Sequence, residues 1–469
     1  MIGLAARSYA ADQPTRGDLA GDMAILRQAL TLHPGLYRYN SPAEIDGRLS
    51  GLADAFVRSG SLEVRYLLLS RFLASLRCGH SYCNFFNQRA PIATALFDRP
   101  TCLPLQFRWL GNAMVVTRDP SGRLQRGSQI VAVNGRSAQE LQDLLLPYVR
   151  ADGHNDGKRR ALIERRGDTA IETFDVFQGL LAPPAGGVHR LTVLGSDQRR
   201  RSFLLPAARP GPAQPAIAAT PSAPLWQMQA SADGVACLTM SNWGLWDSKW
   251  DWRSWLQDAL DGVSDARALI VDLRDNEGGD EACGNALLGR FVAQRFEPPA
   301  IEQRLRFRTT PPALDPYLDT WDAGFRTLGE GAVALSDGFY LRPNVPARRA
   351  IEPVGKQLAL PMVVLTSPVN SSATFQFVQN VRALGVARLI GATTGGNRRG
   401  INGGCFFFVR LPASGIEFDL PLVGYFPATA QPDAGIVPDE QIILTAADIA
   451  MERDVAMARA RAWIARGRA

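Results

Sequence analysis

Long apolar runs, repeated cysteine pairs and histidine are what this sequence has least of. No run of apolar residues approaches the ~18 that a membrane-spanning helix needs. The chain has four histidines and six cysteines, and the cysteines are too irregularly spaced to define a disulfide framework or a zinc site. We therefore expect no integral membrane segment, no metal and no cofactor.

A strong charge bias is missing as well. The net charge is +6, and the basic residues are scattered along the chain with only short clusters at 158–160 and 199–201. Such clusters are typical of solvated loops, so we expect no nucleic-acid partner. With 46% hydrophobic and 20% charged residues, the composition is that of a globular protein of about two to four domains.

The first residues carry a weak export pattern. Within residues 1–16, the Ser8-Tyr9-Ala10 sequence is similar to a signal-peptidase site, although the apolar stretch before it is shorter than in a complete signal peptide. We interpret this segment as the remnant of a trimmed signal. It predicts a periplasmic or secreted location.

Periodicity divides the rest of the chain. Residues 17–98 carry apolar side chains at helical spacing, which predicts an N-terminal helical domain. Residues 99–205 change to short strands and turns, including a strand, an Asn-Gly turn and a helix over 126–149. Residues 206–224 are rich in proline and alanine, which predicts an extended linker.

Strand and helix signals alternate from residue 225 to 445. Strands are predicted at 268–274 and 361–366, and a helix at about 251–262. This alternation favours a mostly parallel α/β sheet, in which ligands collect beyond the carboxyl ends of the strands. Residues 446–469 predict a C-terminal helix packed on this core.

Two strand-to-helix turns hold the candidate chemistry. The segment VNSSATFQF places Ser371 and Ser372 between a buried strand and a helix that ends at Gly385. A serine there caps the helix or, given a base and an oxyanion hole, acts as a nucleophile. In VDLRDNEGGDEACGNALL, Gly278 and Gly279 precede a helix, so backbone N–H groups can point into a crevice as an oxyanion hole requires. The two turns together favour the nucleophile.

These motifs resemble a known family. ALIVDLRDNEGG is similar to a signature of the C-terminal-processing, tail-specific and tricorn-like serine peptidases, and SPVNSSATFQFVQNVRALGVARLIGATTGG resembles their nucleophile segment. GIVPDEQI and GSQIVAVNGRSAQEL are similar to the family's final motif and to its PDZ-like domain. Over about 100–445, the resemblance implies an α/β multidomain chain, with a crotonase/Clp-protease-like α/β catalytic core, a PDZ-like domain and an N-terminal helical domain.

The resemblance also implies the reacting residues. Ser372 aligns with the nucleophile, Ala373 supplies one oxyanion N–H group, and Gly278 or Gly279 supplies the other. Ser371 is then a supporting hydroxyl. Phe375 stands where the family has an acidic residue, a departure that leaves the reacting atoms in place.

The general base lies outside the two turns. Asn397 occupies the position of the lysine that serves as the base in bacterial processing proteases of this family. An amide is no base, and the neighbouring arginines stay protonated. In tricorn-like members a histidine from the helical domain is the base, and the segment LRCGHSYCNF resembles that region. The resemblance therefore implies His80.

An imidazole base is normally oriented by a carboxylate. Spacing in the tricorn-like pattern favours Asp433, with Glu417 and Asp419 as the alternatives. Ser81, which follows the histidine, is a further candidate for a polar contact.

We therefore predict a serine peptidase that hydrolyses extended or unfolded polypeptides, captured by strand addition in the PDZ-like groove. That groove lacks a recognisable Gly-Leu-Gly loop for a terminal carboxylate, which argues against strict tail specificity. Two rivals remain: a non-catalytic ligand-binding protein on the same scaffold, and a crotonase-type acyl-CoA enzyme that shares the oxyanion hole but needs no serine. The sequence leaves open whether the chain forms oligomers.

Overall fold

A computed structural model describes residues 14–195, 197–211, 224–346 and 349–467. The predicted signal remnant lies almost entirely outside the described residues, as does most of the predicted 206–224 linker. None of the described helices is long and apolar enough to cross a membrane.

The helices begin where the sequence supplies side-chain caps. Thr15, Ser41, Ser137 and Thr445 each cap a helix and close a capping box with an acidic residue three positions later. The helices are α1 (Arg16–Leu30), α2 (Pro42–Arg58), α3 (Leu62–Ser75), α4 (Ala90–Phe97), α5 (Ala138–Leu145), α6 (Asp156–Leu162), α7 (Thr173–Leu181), α8 (Trp252–Asp261), α9 (Glu281–Leu288), α10 (Ser372–Leu384), α11 (Ala446–Ala450) and α12 (Val455–Arg466).

The strands are mostly short. They are β1 (Gln106–Leu110), β2 (Ala113–Arg118), β3 (Gln129–Val133), β4 (Arg136–Ser137), β5 (Val188–Leu194), β6 (Arg200–Pro206), β7 (Gln227–Ala230), β8 (Val235–Thr239), β9 (Ala268–Asp272), β10 (Ile301–Leu305), β11 (Leu318–Asp319), β12 (Val333–Ala334), β13 (Tyr340–Leu341), β14 (Met362–Thr366), β15 (Ala387–Gly391), β16 (Asn402–Arg410), β17 (Glu417–Pro427) and β18 (Glu440–Gln441).

These strands form three sheets. Sheet one is antiparallel, with the order β1-β2-β3-β5-β6 and with β4 paired to β3. Sheet two is also antiparallel, with the order β11-β16-β17-β10-β13-β12. Sheet three has the order β18-β15-β14-β9-β8-β7 and is parallel except for the pair of β7 with β8.

The mixed α/β, multidomain character predicted from the sequence is confirmed, and sheet three is the mostly parallel sheet that the alternation predicts. The sequence does not predict sheet two. Its strands alternate in the chain with those of sheet three, so no continuous stretch of sequence indicates a separate sheet. The prediction of one continuous C-terminal helix is wrong. Glu452 adopts a left-handed φ of 51°, which separates α11 from α12 because an α-helix cannot continue through that conformation.

The hydrophobic core does not follow the chain order. One cluster joins the N-terminal helices to sheets one and two, and includes Leu26, Phe107 and Phe418. Two further clusters cover the two faces of sheet three, one around Trp226 and Phe377 and the other beneath α12. Residues far apart in sequence are therefore packed together where the N-terminal helices meet sheets one and two.

Candidate active site

The two turns singled out in the sequence lie side by side. Strand β9 leads into the glycine turn and strand β14 leads into the serine turn. The strands are parallel neighbours, with Asp272 opposite Leu365. Because the carboxyl ends of parallel strands reach the same edge of a sheet, both turns open at one end of sheet three.

Buried polar side chains fasten the turns to each other. Asn370 donates to the carbonyl oxygens of Leu273 and Asn276, at 2.5 and 3.0 Å. The Thr374 hydroxyl donates to Asn276 Oδ1 at 2.6 Å, and Asn276 Nδ2 donates to a backbone carbonyl of the neighbouring chain segment at Met240. Asn276, Asn370 and Thr374 are fully buried, so the relative position of the two turns is rigidly set.

Ser372 occupies a strained position at the start of α10. Its φ is 50°, in the left-handed region that a side chain with a Cβ rarely adopts. Gly278 lies directly against it, since a Cβ added to Gly278 would be 2.8 Å from Ser372 Cβ and 3.1 Å from Ala373 N. A sharp strand-to-helix turn of this kind presents a nucleophilic hydroxyl to solvent.

The N–H groups around Ser372 differ in availability. The N–H of Gly278 donates to Asn276 Oδ1 at 2.8 Å. Within the described part of the chain, no acceptor is bonded to the N–H groups of Gly279 and Ala373. Of the two glycines that the sequence leaves open, Gly279 is therefore the one whose donor is available for an oxyanion.

His80 is held from both sides in the segment that follows α3. The N–H of Gly79 donates to Asp152 Oδ1 at 2.9 Å, and the carbonyl of Gly79 accepts from Arg150 at 2.8 Å. The ring of His80 packs on β16, where a Cβ added to Gly403 would lie 3.8 Å away, and its centroid is 5.8 Å from that of Phe406.

Burial lowers the pKa of His80 below its usual value, and the negative charge of Asp152 opposes that effect. The imidazole is therefore neutral at neutral pH, which is the state that accepts a proton. No hydrogen bond joins His80 to Ser372 among the described residues, and the Nδ1 atom of His80 is buried without a partner there.

Three charged residues connect the histidine segment to the serine turn. We call Arg150, Lys158 and Glu277 the charged bridge. Glu277 accepts from Lys158 Nζ at 2.6 Å and from Arg150 Nη2 at 3.2 Å. Lys158 Nζ also donates to the carbonyl of Val369 at 2.8 Å and to the Ser371 hydroxyl at 3.3 Å. The bridge thus reaches from Gly79 to the residue before the nucleophile.

The pKa values of the bridge follow from burial and pairing. Burial lowers the pKa of Lys158, against the pull of Glu277. Burial would raise the pKa of Glu277, but the charges of Lys158 and Arg150 outweigh it and lower that pKa to about 2. Glu277 is thus an anion over the whole working range of pH.

The sequence spacing favoured Asp433 as the partner of His80, but the structure does not pair these two residues. Asp433 Oδ2 bonds to His154 Nδ1 at 2.6 Å, and Asp433 Oδ1 accepts from Asn397 Nδ2 at 2.7 Å. The His154 hydrogen bond holds the pKa of Asp433 below its usual range although burial opposes it. The chain around residue 153 brings a different histidine to this carboxylate, which sequence spacing does not reveal.

The remaining predicted residues also have other partners. The Ser81 hydroxyl is buried and bonds to His33 Nε2 at 2.8 Å. Glu417 pairs with Arg89 at 3.1 Å. Asp419 accepts from Asn84 and Asn87 at 2.9 Å each, and burial raises its pKa to about 6. None of these three contacts the His80 ring through a hydrogen bond in the described ranges.

A cleft of about 970 Å³ opens beside the serine turn. The residues that border it include Ala373, Gln376, Asn397, Ile401 and Tyr425. Its size suits several residues of an extended peptide or a comparable ligand. Among the described residues, no group of His, Cys, Asp and Glu side chains is arranged to hold a metal ion.

Residues 234–403 match the sequence profile of peptidase family S41. This matched segment contains both strand-to-helix turns, and its similarity to the S41 peptidases supports a serine peptidase that acts on polypeptides. None of the curated proteins matches the sequence significantly.

Two solved structures share the fold of this chain, and a third is more distantly similar to it. "Structure of mature CPAF complexed with lactacystin" matches with a TM-score of 0.63 and 16% identity, over 93% of this chain and 96% of that one. "Crystal Structure of mature CPAF" matches with a TM-score of 0.60 and 15% identity, over 93% and 94%. A photosystem II D1 C-terminal processing protease matches with a TM-score of 0.42 and 13% identity, over 91% and 93%.

The residues that link the two halves of this site are not recognisable from the sequence. Lys158 stands in a cluster that we interpreted as solvated loop charge, yet its side chain is 2% exposed. Asp152 and Arg150 belong to no motif. Glu277 stands inside the glycine-turn motif, but its contacts to Lys158 and Arg150 cross the fold and cannot be seen in the sequence. One signal was available: Lys158 is one of very few lysines in a chain that otherwise uses arginine.

Proposed function

We propose that this protein cleaves peptide bonds through an acyl-enzyme on Ser372. The observation that carries the proposal is the left-handed φ of 50° at Ser372, next to the glycine turn. In this geometry Ser372 Oγ attacks the scissile carbonyl carbon, and the N–H groups of Ala373 and Gly279 stabilise the oxyanion. Loss of one such donor costs about 100-fold to 1,000-fold in turnover.

His80 is the proposed general base. It takes the proton of Ser372 during attack and returns it to the leaving amine, which completes acylation. Water then repeats the sequence to release the acyl group. Burial supports this role because it keeps the imidazole neutral. The charged bridge supports it by holding the histidine segment near the serine turn.

The domain assignment is also part of the proposal. Helices α1–α4 would form the N-terminal helical domain, and sheet one with α5 the PDZ-like domain. Sheet three would be the crotonase/Clp-protease-like core. The order of these elements along the chain supports the assignment, because helices precede an antiparallel sheet, which precedes a parallel one.

An extended polypeptide is the proposed substrate. Phe406 and Phe408 lie on the outer side of β16, and Trp321 packs on both with centroids 5.9 and 5.8 Å away. This aromatic row begins beside His80 and ends at Trp321, whose side chain is 61% exposed. An exposed aromatic surface next to a reacting group supports binding of large apolar side chains near the scissile bond.

Labelling with a fluorophosphonate tests the chemistry. We expect one adduct, located by peptide mapping at Ser372, and none in Ser372→Ala. Ser371→Ala is the matched control and should still label. A folded wild-type protein that forms no adduct would favour the ligand-binding alternative. Full turnover of an acyl-CoA or peptide substrate by Ser372→Ala would favour a crotonase-type reaction.

Substitution of the exposed tryptophan tests the substrate class. We expect Trp321→Ala to raise KM for an unfolded protein substrate about 5-fold to 30-fold, as for loss of ~1–2 kcal/mol of aromatic contact, with kcat little changed. Trp246→Ala is the control, because Trp246 is 72% exposed and belongs to a different segment. Equal KM values for the two variants would contradict the proposed role of the aromatic row.

A further inference from the structure

His80, the proposed base, is not paired with Asp433, the carboxylate that the sequence favours as its partner. Another group must therefore orient the imidazole ring. Asp433 is occupied by His154 and Asn397. Glu417 and Asp419 bond to Arg89 and to two asparagines. Yet an imidazole that cycles between neutral and protonated states needs an acceptor for its second nitrogen.

Asp152 is the carboxylate tied most directly to the histidine segment. It is 2% exposed, and its Oδ1 atom accepts the N–H of Gly79, the residue before His80. The approach is close, since a Cβ added to Gly79 would lie 2.8 Å from Asp152 Oδ2. Only glycine fits at position 79 without displacing this carboxylate.

The second oxygen of the carboxylate is the unusual feature. Among the described residues, Asp152 Oδ2 and His80 Nδ1 are both buried without a hydrogen-bond partner. A buried polar group without a hydrogen-bond partner lowers the free energy of unfolding by about 1–3 kcal/mol. Two such groups, one on Asp152 and one on His80, therefore call for an explanation. One is an acceptor and the other becomes a donor when the ring carries a proton on Nδ1.

We propose that Asp152, rather than Asp433, is the positioning residue for His80, with Oδ1 fixing the Gly79 backbone and Oδ2 serving as the acceptor for Nδ1–H, directly or through one water. This inference rests on the proposed function, because it assigns a partner to the proposed base. Asp152 touches no reacting atom. It acts by holding the imidazole and by stabilising its protonated form.

Other groups near the pair bear on the test. His80 also feels the charges of Arg150, Lys158 and Glu277. Tyr39 is a competing partner for Asp152, because its hydroxyl is buried without a partner in the described part of the chain. The variant Tyr39→Phe removes that hydroxyl and nothing else.

The decisive variant is Asp152→Asn, which keeps an acceptor for the Gly79 N–H and removes the charge. We expect the rate of fluorophosphonate labelling of Ser372 to fall about 10-fold to 100-fold. We expect the acidic limb of its pH profile to move to lower pH, because an anion that favours the protonated ring is lost. Asp433→Asn and Tyr39→Phe should stay within about 3-fold of wild type, with unmoved profiles.

A second measurement does not depend on Ser372. NMR titration of the four histidines should show the pKa of His80 falling in Asp152→Asn and unchanged in Asp433→Asn. An Asp152→Asn rate within 3-fold of wild type, or a slower rate with an unmoved profile and His80 pKa, would overturn the inference. A wild-type protein that fails to label while its His80 titration still responds to Asp152 would overturn the proposed function instead.

Discussion

Two histidines of this chain show opposite arrangements. His154 is exposed and has a hydrogen-bonded carboxylate, Asp433, at 2.6 Å. His80 is packed on β16, and its Nδ1 atom has no partner in the described structure. If a hydrogen-bonded carboxylate were the only criterion, His154 with Asp433 would be the better candidate for a catalytic dyad than His80.

The positions of the two histidines relative to Ser372 favour His80 instead. His80 follows Gly79, whose carbonyl accepts from Arg150 of the charged bridge, and the bridge ends on the Ser371 hydroxyl beside the proposed nucleophile. The ring of His154 contacts Asp433 and packs edge-on against Tyr39 at 6.2 Å. The proposal of His80 therefore gives a route of contacts to the nucleophile more weight than a histidine–carboxylate pair. The difference between the two rings can be tested directly.

Removing each imidazole ring in turn should give the largest difference in activity between the two histidines. We expect His80→Ala to lower kcat/KM by about 1,000-fold or more, since proton transfer by a positioned base contributes ~10²–10⁴-fold. We expect His154→Ala to lower it less than about 3-fold. Steady-state kinetics on an unfolded protein substrate measures both. The opposite pattern would make the His154–Asp433 pair the base.

The charged bridge should give the next largest effect. Lys158→Met keeps the buried methylenes but leaves Val369 O and Ser371 Oγ without this donor, at a cost of about 1–3 kcal/mol for each acceptor left unpaired. We expect lower kcat/KM by about 10-fold to 100-fold and a lower free energy of unfolding in denaturant titrations. Lys249→Met is the control, because Lys249 is exposed. A similar loss of kcat/KM in that variant would show that the effect of Lys158→Met does not arise from the charged bridge.

The pH dependence distinguishes the rings without abolishing activity. Because burial lowers the pKa of His80, kcat/KM should rise to half its maximum at a pH below the ordinary histidine value of ~6.5. Stability has the same sign: it falls as pH drops below ~6.5, since the unfolded chain takes up a proton that the buried ring resists. His154→Gln should leave the kinetic limb in place; a limb that disappears in this variant would contradict the assignment.

The smallest effect is expected at the carboxylate of the exposed pair. Asp433→Asn should leave kcat/KM within about 3-fold and lower the free energy of unfolding by about 1 kcal/mol, through weakened bonds to His154 and Asn397. The pKa of Asp433 is lowered in the fold, so its contribution is present above the ordinary value of ~3.9 and is lost as pH falls below it. Thermal unfolding of both proteins at pH 7 and pH 3 checks this difference.

Local sequence predicts the serine half of the site well. The run PMVVLT forms β14, every residue of which is buried, and α10 ends at Gly385 with the left-handed φ of 67° that a helix-terminating glycine adopts. The glycine turn is encoded within a dozen residues as well. Both depend on hydrogen bonds and φ values of neighbouring residues, which a short segment specifies.

The histidine half could not be predicted to the same depth. Its contacts come from Asp152, Gly403 and the charged bridge, which are distant in sequence and form no motif. The spacing of the C-terminal segment suggested Asp433 as the partner, but the loop at residue 153 places His154 there. Sheet two escaped prediction for the same reason, since β10 and β17 pair although β14 and β15 of sheet three lie between them in the chain.

The docking of the histidine segment has a consequence for the order of events during synthesis. The segment packs on Gly403, and the N–H of Asp419 on β17 donates to the Tyr82 carbonyl at 3.0 Å. Domains fold as the chain emerges from the ribosome, N-terminal parts first. The helices near His80 can form early, but their docking waits for β16 and β17. A nascent chain from which Ser372 has emerged therefore still lacks the contacts that place the histidine segment, and the candidate site is assembled only when most of the polypeptide has been made.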